Sequence, residues 1–479
     1  MKQSIGRKGL VFGIVLLFVG VAFLSKVSGS ALKTKEGIGG NPSSTTMGRG
    51  SLSHERQSNK DHRKWTVMYY MCGDSNLNGY ISPLLENLST IGSSQKLTIV
   101  ALKDNTGPEN SALLYFDESG NIIELNDEFG WPDEVDMSDV HVLELFCTQM
   151  MEAYPADHYA LITYTSAGTG WQEFPLVDND SNGGRNISTP AFAHCLQRVV
   201  ENVGHKIDVL FVSCAMSTME LAYEIAPSVD YIVGTQDCLT KKSIVPRFFD
   251  AVWDLRNNTD MSPEEFASMA PFRCDPEPFY YREAYGQELP IVCKFLNKLP
   301  FPGFHSVIHY SSSSVINLST INELASKLDN LSLILIAHLV DKQWRQGITR
   351  ARSQTQEYDK CRPKYPFLRL IYQRYPFAVL AYNCVIDLYN FIEILRYYVD
   401  NDTFKNQCNG LLDSYNDVVP ALKKVSYDNS HGLNIYFPVL KQTYNNFLFH
   451  SKALCPYEDL LLSKNTSWDE FLRGYLSVE

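Results

Sequence analysis

The sequence predicts an α/β fold in which helices cover both faces of a mainly parallel sheet, followed by a mainly helical C-terminal part. Five short segments have strand character and are mostly apolar throughout, and helical periodicity separates them. Strands that are apolar on both sides are buried on both faces, as in parallel sheets between two helical layers. We therefore predict a three-layer sandwich.

The elements can be placed in order along the chain. The predicted strands are residues 65–71, 97–102, 159–164, 207–212 and 231–233. Residues 112–116 and 122–125 flank a polar, glycine-containing turn, which predicts a hairpin at one edge of the sheet. Helix starts are predicted at Ser188 or Thr189 and at Ser262, because a proline follows these capping residues in the first turn.

The chain divides into four predicted regions. Residues 1–30 predict a signal peptide or an N-terminal membrane anchor, because basic residues precede an apolar run at 10–24. The run is short for a membrane span, which needs about 17 to 25 apolar residues, so cleavage is favoured over anchoring. Residues 31–64 predict a flexible linker, residues 65–271 an α/β domain, and residues 272–479 a C-terminal region. We expect the folded part to be exported.

The composition excludes several classes of protein. Apolar residues make up 44% of the 479 residues and charged residues 20%, which excludes a disordered or low-complexity chain. With 42 Lys and Arg against 54 Asp and Glu, the net charge is −12, so we expect no nucleic-acid partner. None of the 11 cysteines forms a CxxC pair, which excludes a zinc ribbon, and in an oxidising compartment ten of them could form five disulfides.

One cysteine occupies a position that is typical of a nucleophile. Cys214 follows the predicted strand 207–212 and precedes a helical pattern, where the amide dipoles of a first turn stabilise a thiolate. Residues 161–171 form a second strand end, which runs into a glycine-rich turn. Catalytic groups collect at the carboxyl ends of parallel strands. The alternative for Cys214 is a small buried residue without chemistry.

Sequence blocks in a characteristic order resemble the clostripain-like cysteine peptidases (peptidase family C11). The blocks are residues 65–77, 159–171, 209–224 and 431–438, followed by Trp468 and 471–472. The resemblance implies a caspase-like fold. It also implies a Cys/His dyad, in which the cysteine attacks a peptide carbonyl and the histidine transfers the proton.

The resemblance places apolar residues of this chain at two functional positions. Cys214 falls on the nucleophile, but Ala167 falls on the histidine. Val212 falls on the aspartate that pairs with a basic P1 side chain, while Gly168 could still supply an oxyanion N–H. Because loss of a general base costs about 10² to 10⁴ in rate, the resemblance implies an impaired peptidase.

Histidines near these blocks in sequence are poor replacements for the missing base. His158 begins the strand that leads to Ala167, which places it about 25 to 30 Å away along an extended chain. His194 and His205 flank a helix that is expected to return the chain to the amino end of that strand. The hydroxyl groups beside Ala167 lack basicity at neutral pH.

The loop before the predicted helix start carries two further candidates. Asp178, Asp180 and Asn182 have the spacing of the beginning of a calcium loop, although the position of the bidentate Glu is not acidic. The alternative is an ordinary polar surface loop, and no other cofactor is predicted. The resemblance implies maturation by cleavage at a basic residue in this loop, for which Arg185 is the candidate. Because self-cleavage needs the impaired activity, we predict an intact chain unless another protease acts.

Three functional hypotheses follow. The first is an exported clostripain-like pseudo-peptidase that binds peptide or protein partners. The second is an active cysteine-type endopeptidase, with Cys214 as nucleophile, an unidentified base and a preference for a non-basic P1 residue. In the third, Cys214 is a structural or disulfide-bonded cysteine and the fold is a surface module.

Overall fold

A computed structural model gives the fold of most of the chain beyond the predicted linker. It describes residues 62–75, 77–165, 171, 173–176, 178, 187–212, 215–237, 241–273, 279–280, 308–309, 312–358, 384–424, 429–439, 441, 444 and 455–477. The predicted signal or anchor segment lies outside these residues. None of the helices within the described ranges has the length and hydropathy of a membrane span.

A single large sheet organises the fold. The strands are β1 (Arg63–Cys72), β2 (Leu97–Asp104), β3 (Ala112–Phe116), β4 (Ile122–Glu124), β5 (Ala156–Tyr164), β6 (Glu173–Phe174), β7 (Ile187–Ser188), β8 (Ile207–Phe211), β9 (Val229–Thr235), β10 (Phe279–Tyr280), β11 (Ile308–His309), β12 (Ser312–Asn317), β13 (Val385–Asp387), β14 (Ala421–Lys424) and β15 (Asn434–Tyr436). Nine of them pair in the order β14-β12-β9-β8-β5-β1-β2-β3-β4. The central strands β9, β8, β5, β1 and β2 are parallel, and the strands at both edges are antiparallel.

Helices cover both faces of this sheet. The described helices are α1 (Asn78–Ile91), α2 (Asn126–Phe129), α3 (Val140–Ala153), α4 (Thr189–Val203), α5 (Met219–Ile225), α6 (Lys241–Asn257), α7 (Pro263–Met269), α8 (Ile321–Ala337), α9 (Lys342–Gln354), α10 (Leu388–Tyr398), α11 (Asp402–Val418), α12 (Leu461–Asn465) and α13 (Trp468–Ser477). Helices α1, α6 and α7 bury apolar side chains in one core, and α3, α4, α5 and α8 in the other.

The alternation of side chains along β1 shows why the sheet separates two cores. Met68 and Tyr70 belong to one core, whereas Val67 and Tyr69 belong to the other. Successive side chains of a strand point to opposite faces, so an apolar strand feeds both layers. The predicted α/β three-layer sandwich with a mainly parallel centre is confirmed.

The predicted elements are found at their expected places. The five predicted central strands correspond to β1, β2, β5, β8 and β9, and the predicted hairpin forms β3 and β4 at one edge. Ser188 Oγ accepts a hydrogen bond from Ala191 N at 3.3 Å, and Ser262 forms a reciprocal capping box with Glu265. Short polar side chains at these positions satisfy the first amide groups of the helices.

The C-terminal region is mainly helical, as predicted, but it also completes the sheet. Strand β12 pairs antiparallel with β9, and β14 pairs with β12. The sheet is thus common to residues on both sides of the expected boundary at residue 272, and that boundary stays a prediction.

The expectation that ten cysteines could form five disulfides is wrong. Cys147, Cys195, Cys408 and Cys455 are buried free thiols, which leaves too few of the 11 cysteines for five bridges. Their burial among apolar side chains is the usual environment of an unreactive cysteine.

Candidate functional site

The candidate site lies where the parallel strands end. Several predicted site residues lie outside the described residues: Ala167, Gly168, Asp180, Asn182, Arg185 and Cys214. Val212 and Asp178 are described, and both are fully buried. The surroundings of Cys214 are therefore defined by the residues that flank it.

Val212 makes its position apolar and tightly packed. Its N–H donates to Val233 O at 3.0 Å, so the residue continues the sheet beyond β8. A Cβ added to Gly234 would lie 3.0 Å from Val212 Cγ2, which shows how closely the neighbouring strand approaches. The side chain offers no charge to a basic partner.

The chain turns sharply after Cys214 before a helix begins. Ala215 has a φ of 61°, in the left-handed region that a residue with a Cβ rarely adopts. Its N–H donates to Thr235 Oγ1 at 3.2 Å, and Ser217 N donates to Thr235 O at 3.0 Å. Helix α5 starts only at Met219, so the turn separates Cys214 from the first helical amide groups. The sequence pattern predicts a helix directly after the cysteine. The helix instead begins at Met219, after this turn.

A histidine from the C-terminal region lies at the same edge of the sheet. The Nδ1 atom of His431 lies 3.0 Å from Oδ1 of the fully buried Asp387, and the His431 backbone N–H donates to Asp387 Oδ2 at 2.6 Å. The imidazole stacks on Tyr389 with ring centroids 4.3 Å apart, and 25% of the side chain is exposed. A carboxylate on Nδ1 orients the ring and leaves Nε2 as the nitrogen that can accept a proton.

Gln236 connects this His–Asp pair to the turn that follows β8. Its Nε2 donates to Asp387 Oδ2 at 2.8 Å and to Asn434 Oδ1 at 2.7 Å. Asn434 N in turn donates to Ser217 O at 2.8 Å. The pair is thus held beside the carboxyl ends of β8 and β9.

The histidines considered in the sequence lie elsewhere, as predicted. His158 pairs with Trp65 in the register of β1 and β5, near the amino ends of both strands. Its Nδ1 lies 3.1 Å from Asp208 Oδ1, and His205 lies 3.9 Å from the same carboxylate. His194 is exposed on α4.

A buried carboxyl group joins α5 to the C-terminal region. Glu220 Oε1 accepts hydrogen bonds from Tyr436 N and Tyr457 Oη, both at 2.8 Å. Trp171, from the segment after β5, packs on both tyrosine rings, with centroids 4.9 and 4.8 Å away. Burial raises the pKa of Glu220 from 4.5 to about 7, against the opposing effect of these hydrogen bonds.

A second group of carboxylates lies at the ends of β1 and β2. Asp74, Asp104 and Asp178 each place one carboxylate oxygen within 4.8 Å of the others, and all three residues are buried. Burial raises the pKa of Asp104 from 3.8 to about 7, and the charges of Asp178 and Glu134 act in the same direction. Asp178, which belongs to the predicted calcium loop, thus lies beside two other buried carboxylates.

The sequence analysis did not predict the His431–Asp387 pair or the meeting of Asp74 with Asp104. His431 stands in a recognised block, but its buried partner Asp387 is distant in sequence, and only the fold brings them together. Asp74 follows β1 and Asp104 is the last residue of β2, and the carboxyl ends of these two strands meet at one edge. That placement was the signal that could have found them.

Comparison with known proteins shows a similarity to one family over part of the chain. The model of the Clostripain family (Peptidase C11) matches residues 69–242. Clostripain of Hathewaya histolytica is 28% identical over 202 residues, a match that covers 36% of this chain and 38% of clostripain. The matched part therefore spans well under two thirds of that relative.

Solved structures of low identity share the fold over most of the chain. An inactive zymogen C11 protease from Parabacteroides distasonis has 17% identity and a TM-score of 0.51, and the match covers 85% of this chain and 98% of that one. A secreted C11 cysteine protease from Bacteroides thetaiotaomicron, in complex with an irreversible peptide inhibitor, has 18% identity and a TM-score of 0.50 and covers 86% and 98%. The caspase-like fold is thereby confirmed. The chain thus resembles the Clostripain family (Peptidase C11) over residues 69–242 and shares the fold of C11 proteases over most of its length.

Proposed function

We propose that this chain is an exported pseudo-peptidase that binds peptide or protein partners at the carboxyl edge of its sheet. The observation that carries the proposal is Ala167, which occupies the position of the family's histidine base. A methyl group neither accepts nor donates a proton, so Ala167 cannot activate the thiol of Cys214.

The surroundings of Val212 support loss of the family's specificity as well. The residue is fully buried and fixed in the sheet by its hydrogen bond to Val233. An apolar side chain at this position removes the charge that would pair with a basic P1 residue. A similar fold in the Bacteroides thetaiotaomicron protease holds a peptide inhibitor, which supports peptides as ligands here.

A second function is favoured by one specific observation. His431 is oriented by buried Asp387 and lies beside the turn that follows Cys214. In an active peptidase, His431 would be the base that Ala167 cannot supply, and the P1 residue would be uncharged.

A single set of assays separates these functions. Purified full-length chain is incubated with a peptide library of mixed P1 residues, and both cleavage and binding are measured, with Cys214→Ala as control. The pseudo-peptidase proposal expects bound, uncleaved peptides in both proteins. Cleavage that is lost in Cys214→Ala and in His431→Gln, with the fold intact by circular dichroism, would instead establish the second function.

The state of the thiol adds an independent measurement. Alkylation of Cys214 is followed between pH 5 and 9 by mass spectrometry. Slow alkylation that rises only near the pKa of an ordinary thiol, about 8.5, is expected when no base or cation activates the sulfur. Fast alkylation at pH 6 would argue for an activated nucleophile.

A further inference from the structure

The negative charge of this chain is concentrated around one side of the sheet. Residues 104–140 contain 11 Asp and Glu and no Lys, Arg or His, so this stretch supplies nearly all of the net charge of −12. It includes β3 and β4, and β4 is the last strand on its side of the described sheet. We call this strand, Ile122–Glu124, the β4 edge.

We propose that the β4 edge binds an extended segment of a partner protein that carries lysine or arginine beside apolar residues. The segment pairs with β4 as an additional strand, so that main-chain hydrogen bonds provide affinity and side chains provide specificity. The β4 edge is separate from the carboxyl ends of β8 and β9, and this inference does not depend on the function proposed above.

The register of the hairpin shows which backbone groups of β4 face outward. In an antiparallel pair, every second residue turns its N–H and C=O towards the partner strand, and the residues between turn theirs away. Leu125 N donates to Leu113 O at 2.8 Å, so Leu125 and Ile123 face β3. Ile122 and Glu124 therefore direct their N–H and C=O groups to the other side, where the described chain has no strand. These four groups can bond a further strand without rearrangement.

The side chains of the β4 edge provide apolar contact area. Ile122 and Ile123 are each 42% exposed, and Glu124 is exposed as well. Because successive side chains of a strand point to opposite faces, each face of the edge presents one isoleucine. Edge strands are commonly protected by lysine or proline, and β4 contains neither. An added strand would cover both isoleucines through cross-strand pairs.

Charge determines which segment can pair with this edge. Residues 117–128 contain no Lys, Arg or His but carry five acidic side chains: Asp117, Glu118, Glu124, Asp127 and Glu128. All of these except Asp117 are exposed. The charge of Glu124 acts on Lys103 of β2, but the Lys103 ammonium group donates to Asn110 O. A segment with lysine or arginine is therefore attracted to the β4 edge, and an acidic segment is repelled.

The same charge disfavours pairing between two copies of this chain. Two β4 strands in antiparallel contact would bring two Glu124 side chains and two acidic turns together. Like charges on neighbouring strands are destabilising, and charged side chains on an edge act against self-association. The β4 edge is thus open to a basic partner and closed to its own copy.

The test uses the full-length chain and a labelled, capped peptide of alternating lysine and valine. A peptide of alternating glutamate and valine is the control, and fluorescence anisotropy measures the binding of each. We expect only the lysine peptide to bind, with an affinity that falls at least about threefold between about 0.05 and 0.5 M salt, because salt screens exposed charges. Absence of binding by the lysine peptide, or equal binding of the glutamate peptide, would overturn the proposal.

Substitutions at Glu124 locate the binding. Glu124→Pro removes an N–H that faces outward and keeps the hydrogen bonds to β3, so it should weaken binding of the lysine peptide about tenfold or more. Glu124→Lys tests the same edge if the proline variant fails to fold, and it should weaken binding about threefold or more, because it reverses a charge. Glu393→Lys is the matched control, since Glu393 is exposed on α10, outside the acidic stretch, and it should bind as the wild type does. Equal affinities of the folded Glu124 variants and Glu393→Lys would contradict binding at β4.

Hydrogen exchange distinguishes strand pairing from diffuse electrostatic attraction. The lysine peptide should slow exchange of the amide groups of Ile122 and Glu124, which are the ones that face outward. Binding without this protection would overturn the proposal. So would a dimer in light scattering that Glu124→Pro dissociates, because the occupant of the β4 edge would then be a second copy.

Discussion

Two fully buried aspartates near the same edge of the sheet are satisfied very differently. Asp387 accepts hydrogen bonds from Asn390 N, Gln236 Nε2, and the backbone N–H and imidazole of His431. Among the described residues, only Ser111 Oγ donates to the Asp104 carboxylate. A buried charge is tolerated when donors surround it and is costly when they do not. The first aspartate is therefore tolerated as a buried acceptor, whereas burial raises the pKa of the second from 3.8 to about 7.

Glu220 lies between these two cases. Its Oε1 accepts two hydrogen bonds, but its buried Oε2 has no partner among the described residues. The number of described hydrogen-bond donors to the carboxyl group decreases from Asp387 to Glu220 to Asp104. Replacing each acid by its amide measures how far the hydrogen bonds of the protein offset the free-energy cost of burying that carboxylate.

The largest effect is expected for Asp387→Asn. The amide replaces one acceptor oxygen by a donor, which then faces the N–H groups of Asn390, Gln236 or His431. A buried donor left without an acceptor costs about 1 to 3 kcal/mol, and several donors share this carboxylate, so urea unfolding should report a loss of about 3 kcal/mol or more. An unfolding free energy within about 0.5 kcal/mol of the wild type would contradict the conclusion that hydrogen bonds to Asp387 stabilise the fold more than those to Asp104.

Glu220→Gln should have an intermediate effect that depends on pH. The pKa of Glu220 in the folded state is raised from 4.5 to about 7, so the folded protein holds a proton that the unfolded chain has released. Its contribution to stability is therefore fully present below pH 4.5 and is lost as the pH rises through about 7. Between pH 5 and 8 the wild type should lose about 2 to 3 kcal/mol from this group, a loss that Glu220→Gln removes.

The measurement for Glu220 is urea unfolding of both proteins across that range. Other groups also titrate there, so only the difference between the two proteins is interpreted. Parallel profiles for wild type and Glu220→Gln would contradict the account of this carboxyl group.

The smallest effect, and one of opposite sign, is expected for Asp104→Asn. The amide keeps an acceptor for Ser111 Oγ and removes a charge that Asp178 and Glu134 repel. We expect stability equal to the wild type or greater by about 1 kcal/mol. A loss of more than about 2 kcal/mol in the free energy of unfolding would mean that the charged carboxylate is satisfied within the protein.

The sequence predicted the parts of the fold that are encoded locally. Apolar strands such as 159–164 and capping residues such as Ser262 carry their signal within a few positions, and they are found where expected. The addition of β12 and β14 to the sheet was not predicted, because antiparallel edge strands are short and depend on distant partners.

The sequence blocks assign Cys214, Ala167 and Val212 to functional positions, because each block is continuous, and these assignments stay predictions. The contacts between distant segments could not be predicted, for the same physical reason as the edge strands. The pairing of His431 with Asp387 joins residues that only the folded chain places in contact. The meeting of Asp74 with Asp104 depends on parallel register and on a glycine, neither of which is a motif.

The proposed loss of peptidase activity depends on Ala167 and Val212. The most direct test is the rate of cleavage after Arg or Lys by the double variant Ala167→His, Val212→Asp, compared with the parent chain in the same assay. We predict that the double variant gains at least about 10²-fold, because a positioned general base contributes about 10² to 10⁴ in rate. A parent chain that already cleaves as fast as the double variant, through Cys214, would contradict the claim.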